Sequence, residues 1–264
     1  MTTDLSSYGP WAVIAGGSEG VGAEFARALA AAGIDLVLVA RKPGPLEETA
    51  ASVRELGVEV RTVAADLTDP AAIEAITAAT ADVEVGLLIY NAGANTHGHA
   101  FTQGTLAGFG SVIDLNITAL LALTHHYAVP MRERGRGGIL LVGSLAGYVG
   151  TSTEAVYGGV KAFSRIFAEG LWAELRTHGV DVLELVLGVT RTPAMERAGL
   201  NFDVPGMHVS APADVAREGL AALPHGPVHV VSGNEGIVAS RSTDDRARLV
   251  AGTEKVMRLL LSRR

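Results

Sequence analysis

Two side chains that could move a proton stand four residues apart in the stretch Tyr157-Gly-Gly-Val-Lys161. The surrounding pattern predicts a helix, and positions i and i+4 share one helix face, so we expect the phenol and the ammonium to lie side by side. A neighbouring cation favours the phenolate, which predicts a Tyr157 pKa below its ordinary value of about 10. Such a tyrosine could serve as a general acid or base near neutral pH.

A serine could place a substrate oxygen near that phenol. Ser144 ends the apolar run Leu140-Leu-Val-Gly-Ser144, thirteen residues before Tyr157. The run predicts a buried strand, and doubly wound sheets bind ligands at the carboxyl ends of their strands. The serine hydroxyl could orient a carbonyl oxygen there. Each residue alone decides little, because Y-x3-K pairs occur on exposed helix faces and strand-end serines often form turns.

A glycine-rich turn follows the first predicted strand. Gly16, Gly20 and Gly22 have the spacing G-x3-G-x-G and lead into a predicted helix. Glycines let the backbone approach a bound pyrophosphate, and the helix would direct its first amides and its positive dipole end at that anion. About 20 residues later, Arg41 follows the second predicted strand, where a dinucleotide-binding fold recognises the adenosine ribose. The turn and its context predict a dinucleotide site.

The same turn satisfies a second motif. The sequence Gly16-Gly-Ser18-Glu-Gly20 fits G-x-S-x-G, the nucleophile elbow of α/β-hydrolases, in which Ser18 would be the nucleophile. The first strand is an unusual place for that elbow, so we rank a serine hydrolase behind a dinucleotide enzyme. A nucleotide-binding regulator without turnover is a further alternative, although binding alone would not need the phenol of Tyr157.

These residues must be positioned by short apolar runs that alternate with longer alanine-rich amphipathic stretches, a pattern typical of βα units. We predict an α/β fold with a doubly wound parallel sheet of about seven strands, helices on both faces, and a single domain over residues 1–264. The predicted strands are Trp11–Gly16, Asp35–Ala40, Val58–Ala64, Gly86–Tyr90, Gly138–Val142, Asp181–Leu187 and Pro227–Val231. The predicted helices are Gly20–Ala32, Leu46–Leu56, Pro70–Thr80, Thr105–Arg134, Thr153–His178, Ala213–Leu223 and Asp244–Leu261, the last capped by Ser242 or Thr243.

The chain has 264 residues, a formal charge of 21 − 28 = −7, 48% hydrophobic residues and no cysteine. The lack of cysteine excludes disulfides, thiolate metal sites and cysteine nucleophiles. The acidic balance gives no electrostatic reason to bind nucleic acid, and no apolar run reaches the roughly 18 residues of a membrane span. The first ten residues lack the features of a secretory signal, which predicts a cytoplasmic protein. No metal site is predicted, because no carboxylate lies at ligand spacing from His97, His99, His125 or His126.

Taken together, these residues resemble the short-chain dehydrogenase/reductase family from Trp11 to about Val231. The resemblance implies a Rossmann fold and an oxidoreductase that interconverts a small-molecule ketone and a secondary alcohol with a nicotinamide cofactor. The matching residues, in chain order, are Gly16, Gly20, Gly22, Asp66, Asn91, Ala92, Gly93, Asn116, Ser144, Tyr157 and Lys161.

The resemblance implies a role for each catalytic residue. Tyr157 would pass the proton, and Lys161 would lower the tyrosine pKa and bind the nicotinamide ribose. Ser144 would hold the substrate oxygen. Asn116 would interrupt its helix and hold a water molecule that links Lys161 to solvent.

The resemblance also implies a set of cofactor-binding residues. Asp66 would contact the adenine ring, and Thr192 would contact the nicotinamide carboxamide. Ala15 and Leu187 depart from the family pattern, in which a threonine and a proline are usual. The full predicted set is Gly16, Ser18, Gly20, Val21, Gly22, Arg41, Asp66, Leu67, Asn91, Ala92, Gly93, Tyr157, Lys161 and Thr192.

The end of the second strand predicts a cofactor preference. Ala40 stands where an acidic residue would hold the ribose 2′-hydroxyl and repel a phosphate. Arg41 follows, with Lys42 beside it, and a guanidinium can grip a 2′-phosphate with two charge-assisted hydrogen bonds. Glu19 in the glycine turn is a nearby anion that opposes this attraction. We predict a preference for NADP(H), with NAD(H) also possible.

Residues 190–212 follow the sixth predicted strand, where the nicotinamide must lie, and they show no clear period. We predict a mobile lid whose apolar residues either enclose a hydrophobic substrate or pack the lid on the body. The entry Tyr8-Gly-Pro-Trp11 resembles the family branch of long-chain 3-ketoacyl and 17-keto steroid reductases, which favours a hydrophobic substrate. The apolar lid residues are Met195, Leu200, Phe202, Val204, Pro205 and Met207.

The helices that carry Asn116 and Tyr157 hold more large apolar side chains than one sheet face can cover, so we expect their outward faces to be unusually apolar. We predict a homodimer or homotetramer paired through these helices, as the family resemblance also implies. The apolar residues concerned are Leu120, Leu121, Phe163, Phe167 and Trp172.

Overall fold

Seven parallel strands form one sheet in the computed structural model, which describes residues 5–261. The strands are β1 (Trp11–Ala15), β2 (Asp35–Ala40), β3 (Val60–Ala64), β4 (Val85–Tyr90), β5 (Gly137–Ser144), β6 (Val180–Leu187) and β7 (Val228–Val230). In the order β3-β2-β1-β4-β5-β6-β7, the chain runs from β1 to one edge, crosses back, and runs from β4 to the other. The predicted doubly wound sheet is confirmed. Residues 1–4 and 262–264 of the predicted domain lie outside the described residues.

Helices connect the strands and cover both faces of the sheet. They are α1 (Gly20–Ala31), α2 (Pro43–Arg54), α3 (Ala71–Ala79), α4 (Leu106–Ile113), α5 (Ala119–Arg134), α6 (Ala155–Leu175), α7 (Pro193–Arg197), α8 (Pro212–Ala222), α9 (Glu235–Ser240) and α10 (Arg246–Leu261). α2 begins earlier than predicted because Pro43 suits the first turn of a helix. The short α7 and α9 are not predicted, because neither is long enough to show a helical period.

The start of α10 corrects one predicted cap. Asp245 Oδ1 accepts a hydrogen bond from Arg248 N at 3.0 Å, so Asp245 caps the helix. The predicted caps, Ser242 and Thr243, lie too early in the chain for this role. An aspartate at this position also places a negative charge at the positive end of the helix dipole.

The core consists of two apolar layers, one on each face of the sheet. Successive strand residues point to opposite faces, so Val13 packs with α3, α5 and α6, while Ile14 packs with α1, α2 and α8. Both side chains are fully buried. Because helices cover both faces, the central strands are apolar without alternation. Glu184 of β6 is a charged exception at 1% exposure.

A π-helical turn at Asp114–Thr118 joins α4 to α5, so that Leu106–Arg134 is one helical run. Thr105 caps this run, because its Oγ1 accepts a hydrogen bond from Gly108 N at 3.1 Å. Asn116 lies in the π turn and is 2% exposed. Such turns insert an extra residue and often occur at functional sites. The helix is thus interrupted at Asn116, as the family resemblance implies.

By length and composition, Leu106–Arg134 is apolar enough to cross a membrane. This segment contains no unbroken apolar run of that length, because polar residues are scattered along it. Core helices pass the same test, and 33% of its most apolar window is buried within the fold. Leu120 is 3% exposed, so its predicted outward position is wrong, whereas Leu121 is 37% exposed. Consecutive helix residues point about 100° apart, so only one of Leu120 and Leu121 can point toward the sheet. The sequence alone does not show which one.

Candidate active site

Hydrogen bonds tie the glycine turn after β1 to the segment after β4. Ala15 O accepts from the amides of Asn91 at 2.9 Å and Ala92 at 2.7 Å. Asn91 Nδ2 donates to Gly16 O at 2.8 Å. The two segments are therefore joined although Ala15 lacks the hydroxyl that the family pattern places there.

In this region, backbone segments approach each other so closely that two positions require glycine. Gly16 has a φ of +86°, and a Cβ there would lie 2.8 Å from Ala92 N. A Cβ at Gly22 would overlap the carbonyl of Gly16. At the start of α1, the Glu19 side chain forms no cap hydrogen bond with the first amides. Open amides at a glycine-lined helix N-terminus fit the pyrophosphate of a dinucleotide.

The end of β2 could recognise an adenosine. The Arg41 side chain is 61% exposed and lies 3.9 Å from Asp66 Oδ2. Partial burial raises the Asp66 pKa, but hydrogen bonds from Thr68 and the charge of Arg41 outweigh it and hold the pKa below its ordinary value. Leu67 is buried next to this aspartate. These residues present one cation and one anion at the predicted adenosine position.

The phenol of Tyr157 lies beside Ser144 at the end of β5. Burial and, to a smaller extent, the charge of Glu154 raise the pKa of Tyr157 to about 12, although a hydrogen bond with Ser144 opposes the increase. The predicted decrease of this pKa below 10 is therefore wrong for this structure. Burial disfavours the phenolate, and Lys161 Nζ lies 5.7 Å from the centroid of the tyrosine ring. Tyr157 is a neutral acid at neutral pH.

Lys161 is buried one helical turn after the tyrosine. Its side chain is 6% exposed, and Nζ donates a hydrogen bond to Val142 O at 3.0 Å. Burial lowers the Lys161 pKa to about 8, and the charge of Glu184 opposes this decrease. The ammonium form is therefore favoured at neutral pH and is lost at moderately alkaline pH.

Asn116 faces Lys161 across Gly93. A Cβ on Gly93 would lie 2.7 Å from Lys161 Nζ and 2.8 Å from Asn116 Oδ1. Asn116 Nδ2 donates to Val112 O at 2.9 Å, whereas its buried Oδ1 has no hydrogen-bond partner within residues 5–261. A buried acceptor of this kind is usually satisfied by an ordered water molecule. The geometry fits the relay role that the resemblance implies, and the structure brings all four predicted catalytic residues to one sheet edge.

Two carboxylates near the catalytic set were not identified from the sequence motifs. Burial raises the pKa of Glu184 to about 8. Burial also raises the pKa of Glu154, against hydrogen bonds from two neighbours. In the sequence, Glu184 stands out only as the single charged residue inside the apolar run 182–187. For Glu154, the sequence shows only that it stands three residues before Tyr157.

The predicted lid contacts the glycine turn. Thr192 Oγ1 accepts from Met195 N at 3.2 Å and caps α7, and a Cβ at Gly20 would lie 3.1 Å from Thr192 Cγ2. Arg197 Nη1 donates to Glu19 Oε2 at 2.9 Å. The base of residues 190–212 thus lies against the cofactor turn, while its predicted mobility stays a prediction.

Ser18, the alternative nucleophile, lies in the same turn. Its backbone carbonyl accepts a hydrogen bond from Thr49 Oγ1 at 2.8 Å. Val21 is buried at the start of α1. The acid and base groups described above are gathered around Tyr157, at a different strand end, which favours the dinucleotide hypothesis over the hydrolase hypothesis.

Sequence relatives agree with this site. A family model described as short chain dehydrogenase matches residues 10–201. A 7beta-hydroxysteroid dehydrogenase of Clostridium sardiniense is 32% identical over 217 residues, which cover 82% of this chain and 83% of that protein. A very-long-chain 3-oxoacyl-CoA reductase of Laccaria bicolor is 35% identical over 210 residues, which cover 76% of this chain and 61% of that protein.

Solved structures agree as well. One from work on 7beta-hydroxysteroid dehydrogenase stereoselectivity has a TM-score of 0.86 and 27% identity, covering 96% of this chain and 99% of that chain. A short-chain dehydrogenase from Sphingobium yanoikuyae in complex with NADPH has a TM-score of 0.78 and 32% identity, covering 94% of both chains. The chain therefore belongs to the short-chain dehydrogenase family and is an oxidoreductase acting on a hydroxyl and carbonyl pair.

Proposed function

We propose that this enzyme reduces hydrophobic ketones with NADP(H) as its preferred cofactor, and that Tyr157 is the general acid. The observation that carries the proposal is the half-buried Tyr157 phenol beside Ser144. With a pKa of about 12, this phenol is protonated at neutral pH. A protonated phenol is the form that can donate to the alkoxide that develops during carbonyl reduction.

The nicotinamide cofactor, when bound, supplies or accepts the hydride. The glycine turn and the N-terminus of α1 would hold its pyrophosphate. Arg41 and Asp66 would hold the adenosine half. Lys161 and Thr192 would hold the nicotinamide half, near the end of β6.

The residues of this chain orient the carbonyl and move the proton. Ser144 Oγ and Tyr157 Oη would both donate hydrogen bonds to the carbonyl oxygen, which polarises the carbonyl. As charge develops on that oxygen, the Tyr157 proton transfers to it and an alcohol is formed. The ammonium of Lys161 would stabilise the resulting phenolate. Asn116, across Gly93 from the lysine, would connect Lys161 to solvent and so return a proton to Tyr157.

The proposed preference for NADP(H) rests on charge at the end of β2. Ala40 brings no carboxylate to the ribose. The exposed guanidinium of Arg41 would bind a 2′-phosphate in exchange for its 3.9 Å contact with Asp66. The opposing charge of Glu19 is compensated by its ion pair with Arg197. A related short-chain dehydrogenase structure contains NADPH, which supports the same preference.

The proposed hydrophobic substrate rests on the relatives and on the lid. The relatives include a 7beta-hydroxysteroid dehydrogenase and very-long-chain 3-oxoacyl-CoA reductases. Steroids and long acyl chains share a large apolar surface. Met195 of the lid is 37% exposed and is available to contact an apolar ligand.

A ketone panel assayed with both cofactors tests the proposal. Absorbance of the reduced nicotinamide would be followed with small polar ketones, sugars, cyclic ketones and steroid ketones. We expect efficiency to rise with the apolar bulk of the ketone and to be higher with NADPH than with NADH. Better turnover of sugars would contradict the hydrophobic site, and equal efficiency with NADH would contradict the cofactor preference.

We also propose a homodimer or homotetramer that covers the apolar outer faces of α4, α5 and α6. Ile166 is 58% exposed and Val129 is 44% exposed, in addition to Leu121. Phe163 and Phe167 stack on α6 with ring centroids 5.8 Å apart. Light scattering at micromolar concentration would show a multimeric mass, and a monomer would contradict the proposal. A cytoplasmic location remains a prediction from the sequence.

A further inference from the structure

A short 3-10 helix at Leu145–Tyr148, here called the serine turn, follows Ser144 at the end of β5. Ser144 is its N-cap, and Ser144 Oγ accepts a hydrogen bond from Ala146 N at 3.1 Å. Because Oγ is the acceptor in this bond, the hydroxyl keeps its own proton for another acceptor. The turn packs closely on α6, since a Cβ on Gly147 would lie 2.9 Å from the carbonyl oxygen of Lys161. The direction of the Ser144 hydroxyl therefore depends on where the serine turn is held.

Two arginines from the segment after β7 hold the serine turn. Arg241 Nη1 donates a hydrogen bond to Leu145 O, the carbonyl next to Ser144. Arg246 Nη2 donates to Tyr148 O at 3.0 Å, and Arg246 Nη1 donates to Arg241 O at 2.7 Å. A helix leaves its last carbonyls without helical partners, and arginine side chains can satisfy them. The two arginines thus bond the first and the last carbonyl of the turn and are joined to each other.

A third contact lies between the serine turn and α6. Glu254 of α10 accepts hydrogen bonds from Ser152 N and, at 3.0 Å, from Ser152 Oγ. Ser152 stands on the connection that leads from the serine turn to Tyr157. Residues 241–254 therefore contact the path between the two catalytic residues at three points.

Arg241 is itself held at the sheet edge. It follows α9 directly, and its amide donates to Val238 O at 3.1 Å. Asn234, the N-cap of α9, is 1% exposed, and its Nδ2 donates to Val231 O at 2.9 Å. The Asn234 side chain fills the space beside Gly188, where a Cβ would lie 2.1 Å from Asn234 Oδ1. The short helix is thus anchored beside the ends of β6 and β7, and it carries Arg241 to the serine turn.

We propose that Arg241 is a positioning residue for the reaction, which holds Leu145 O and thereby directs the Ser144 hydroxyl at the substrate carbonyl. Arg246 supports it through the bond to Arg241 O. This inference rests on the proposed role of Ser144 as a hydrogen-bond donor to the carbonyl oxygen. Arg241 is partly buried, and a hydrogen bond from a cation is stronger where water competes less. A displacement of about 1 Å at a reacting group can slow a reaction by about 10²-fold, so a lost bond beside the serine should affect the rate.

A double-mutant cycle between Arg241 and Ser144 tests the proposal, because such a cycle measures whether two residues act through each other. R241M retains an apolar stem that can pack and removes the hydrogen-bond donor. Single-turnover reduction of a steroid ketone with pre-bound NADPH is measured in the wild type, R241M, S144A and the double variant. We expect R241M to slow reduction by about tenfold or more in the wild-type background. Where S144A has already removed the hydroxyl, R241M should slow it by less than about twofold.

Cofactor affinity and two further variants separate positioning from a general loss of structure. Fluorescence titration of R241M should show nearly unchanged affinity for NADPH, because the glycine turn is left intact. R248M makes the same chemical change at an exposed position on α10 and should leave the rate unchanged. R246M breaks the bonds to Tyr148 O and Arg241 O and should slow reduction less than R241M, again only while Ser144 is present. Because Arg246 is exposed, R246M is expected to fold, and it decides the question if circular dichroism shows R241M to be unfolded.

The outcomes are distinct. Equal losses from R241M with and without the Ser144 hydroxyl would show a role independent of that serine and overturn the inference. A wild-type rate in R241M, an equal loss in R248M, or a fall in NADPH affinity as large as the fall in rate would overturn it as well. If S144A alone retained full turnover, the proposed role of Ser144 would fail. A slow S144A on which R241M has its full additional effect would reject only the role of Arg241.

Discussion

The two ends of the proposed cofactor and substrate site use charge in opposite ways. At the adenosine end, the Arg41 and Asp66 side chains are 61% and 46% exposed and lie 3.9 Å apart. At the catalytic end, Lys161 and Glu184 are 6% and 1% exposed, inside the layer between α6 and the sheet. Solvent screens the first pair and hardly reaches the second.

This contrast predicts how strongly a substitution at each end will affect the enzyme. An exposed cation such as Arg41 contributes mainly to the binding of a phosphate, because water solvates the cation well when no phosphate is bound. At the catalytic end, burial instead governs which groups are charged, because it lowers the pKa of Lys161 and raises the pKa of Glu184, each to about 8. We therefore expect large effects on rate and pH dependence at the catalytic end, and an effect confined to cofactor choice at the adenosine end.

The largest effect is expected from Lys161→Ala. This change removes the buried ammonium that lies one helical turn after Tyr157. We expect kcat/KM for ketone reduction to fall by about 10²–10⁴-fold, with weaker cofactor binding as well. Steady-state kinetics and cofactor titration would measure both. Lys42→Ala, at an exposed lysine next to Arg41, serves as the matched control, and an equal loss in both variants would contradict the comparison.

Stability against pH should show an intermediate effect. The folded-state pKa of Glu184 is raised from 4.5 to about 8, so the folded protein binds more protons than the unfolded chain between these values. Its contribution to the free energy of unfolding is therefore complete below pH 4.5 and is lost as the pH rises toward 8. Lys161, with a pKa lowered from 10.5 to about 8, contributes a change of opposite sign only above pH 8.

Urea unfolding at pH 5 and pH 8 measures this dependence. E184Q should lose less stability than the wild type over that interval, by on the order of 2 kcal/mol. Identical losses in the two proteins would show that Glu184 does not titrate with a raised pKa, and the contrast between the buried and exposed ends would then lose its basis.

The smallest effect is expected from Arg41→Ala. The ratio of kcat/KM with NADPH to that with NADH should fall by about tenfold or more, the size expected for charge-assisted hydrogen bonds to a phosphate. Turnover with saturating cofactor should change little. Arg27→Ala, at a surface arginine paired with Glu24, is the control. An unchanged ratio would remove Arg41 from phosphate recognition.

The fold and the site differ in how far the sequence could predict them. Apolar runs such as β4 and the glycine spacing after β1 are local patterns. They suffice to predict the sheet and the glycine-rich turn. The motif around Tyr157 and Lys161 likewise places its two residues on one helix face. Glu184 was not identified because its burial and its raised pKa depend on how α6 packs on the sheet. Only tertiary packing reveals such a group.

The predicted direction of the Tyr157 pKa shift was wrong for a similar reason. The i, i+4 spacing predicts a nearby cation, but it contains no information on burial or on Glu154. In the structure, burial is the largest influence and raises the pKa to about 12. The orientation of Leu120 was mispredicted because one step along a helix separates the core face from the surface. Local spacing therefore identifies the reacting groups better than it predicts their protonation.

In the proposed mechanism, Tyr157 donates the proton during ketone reduction. Single-turnover reduction with pre-bound NADPH in Tyr157→Phe tests it most directly, with cofactor affinity measured on the same preparation by fluorescence titration. The phenylalanine ring still packs on α6 but carries no proton, so we expect NADPH to bind with nearly unchanged affinity and the reduction rate to fall by about 10²–10⁴-fold or more. A reduction rate close to that of the wild type, with NADPH bound, would contradict the account.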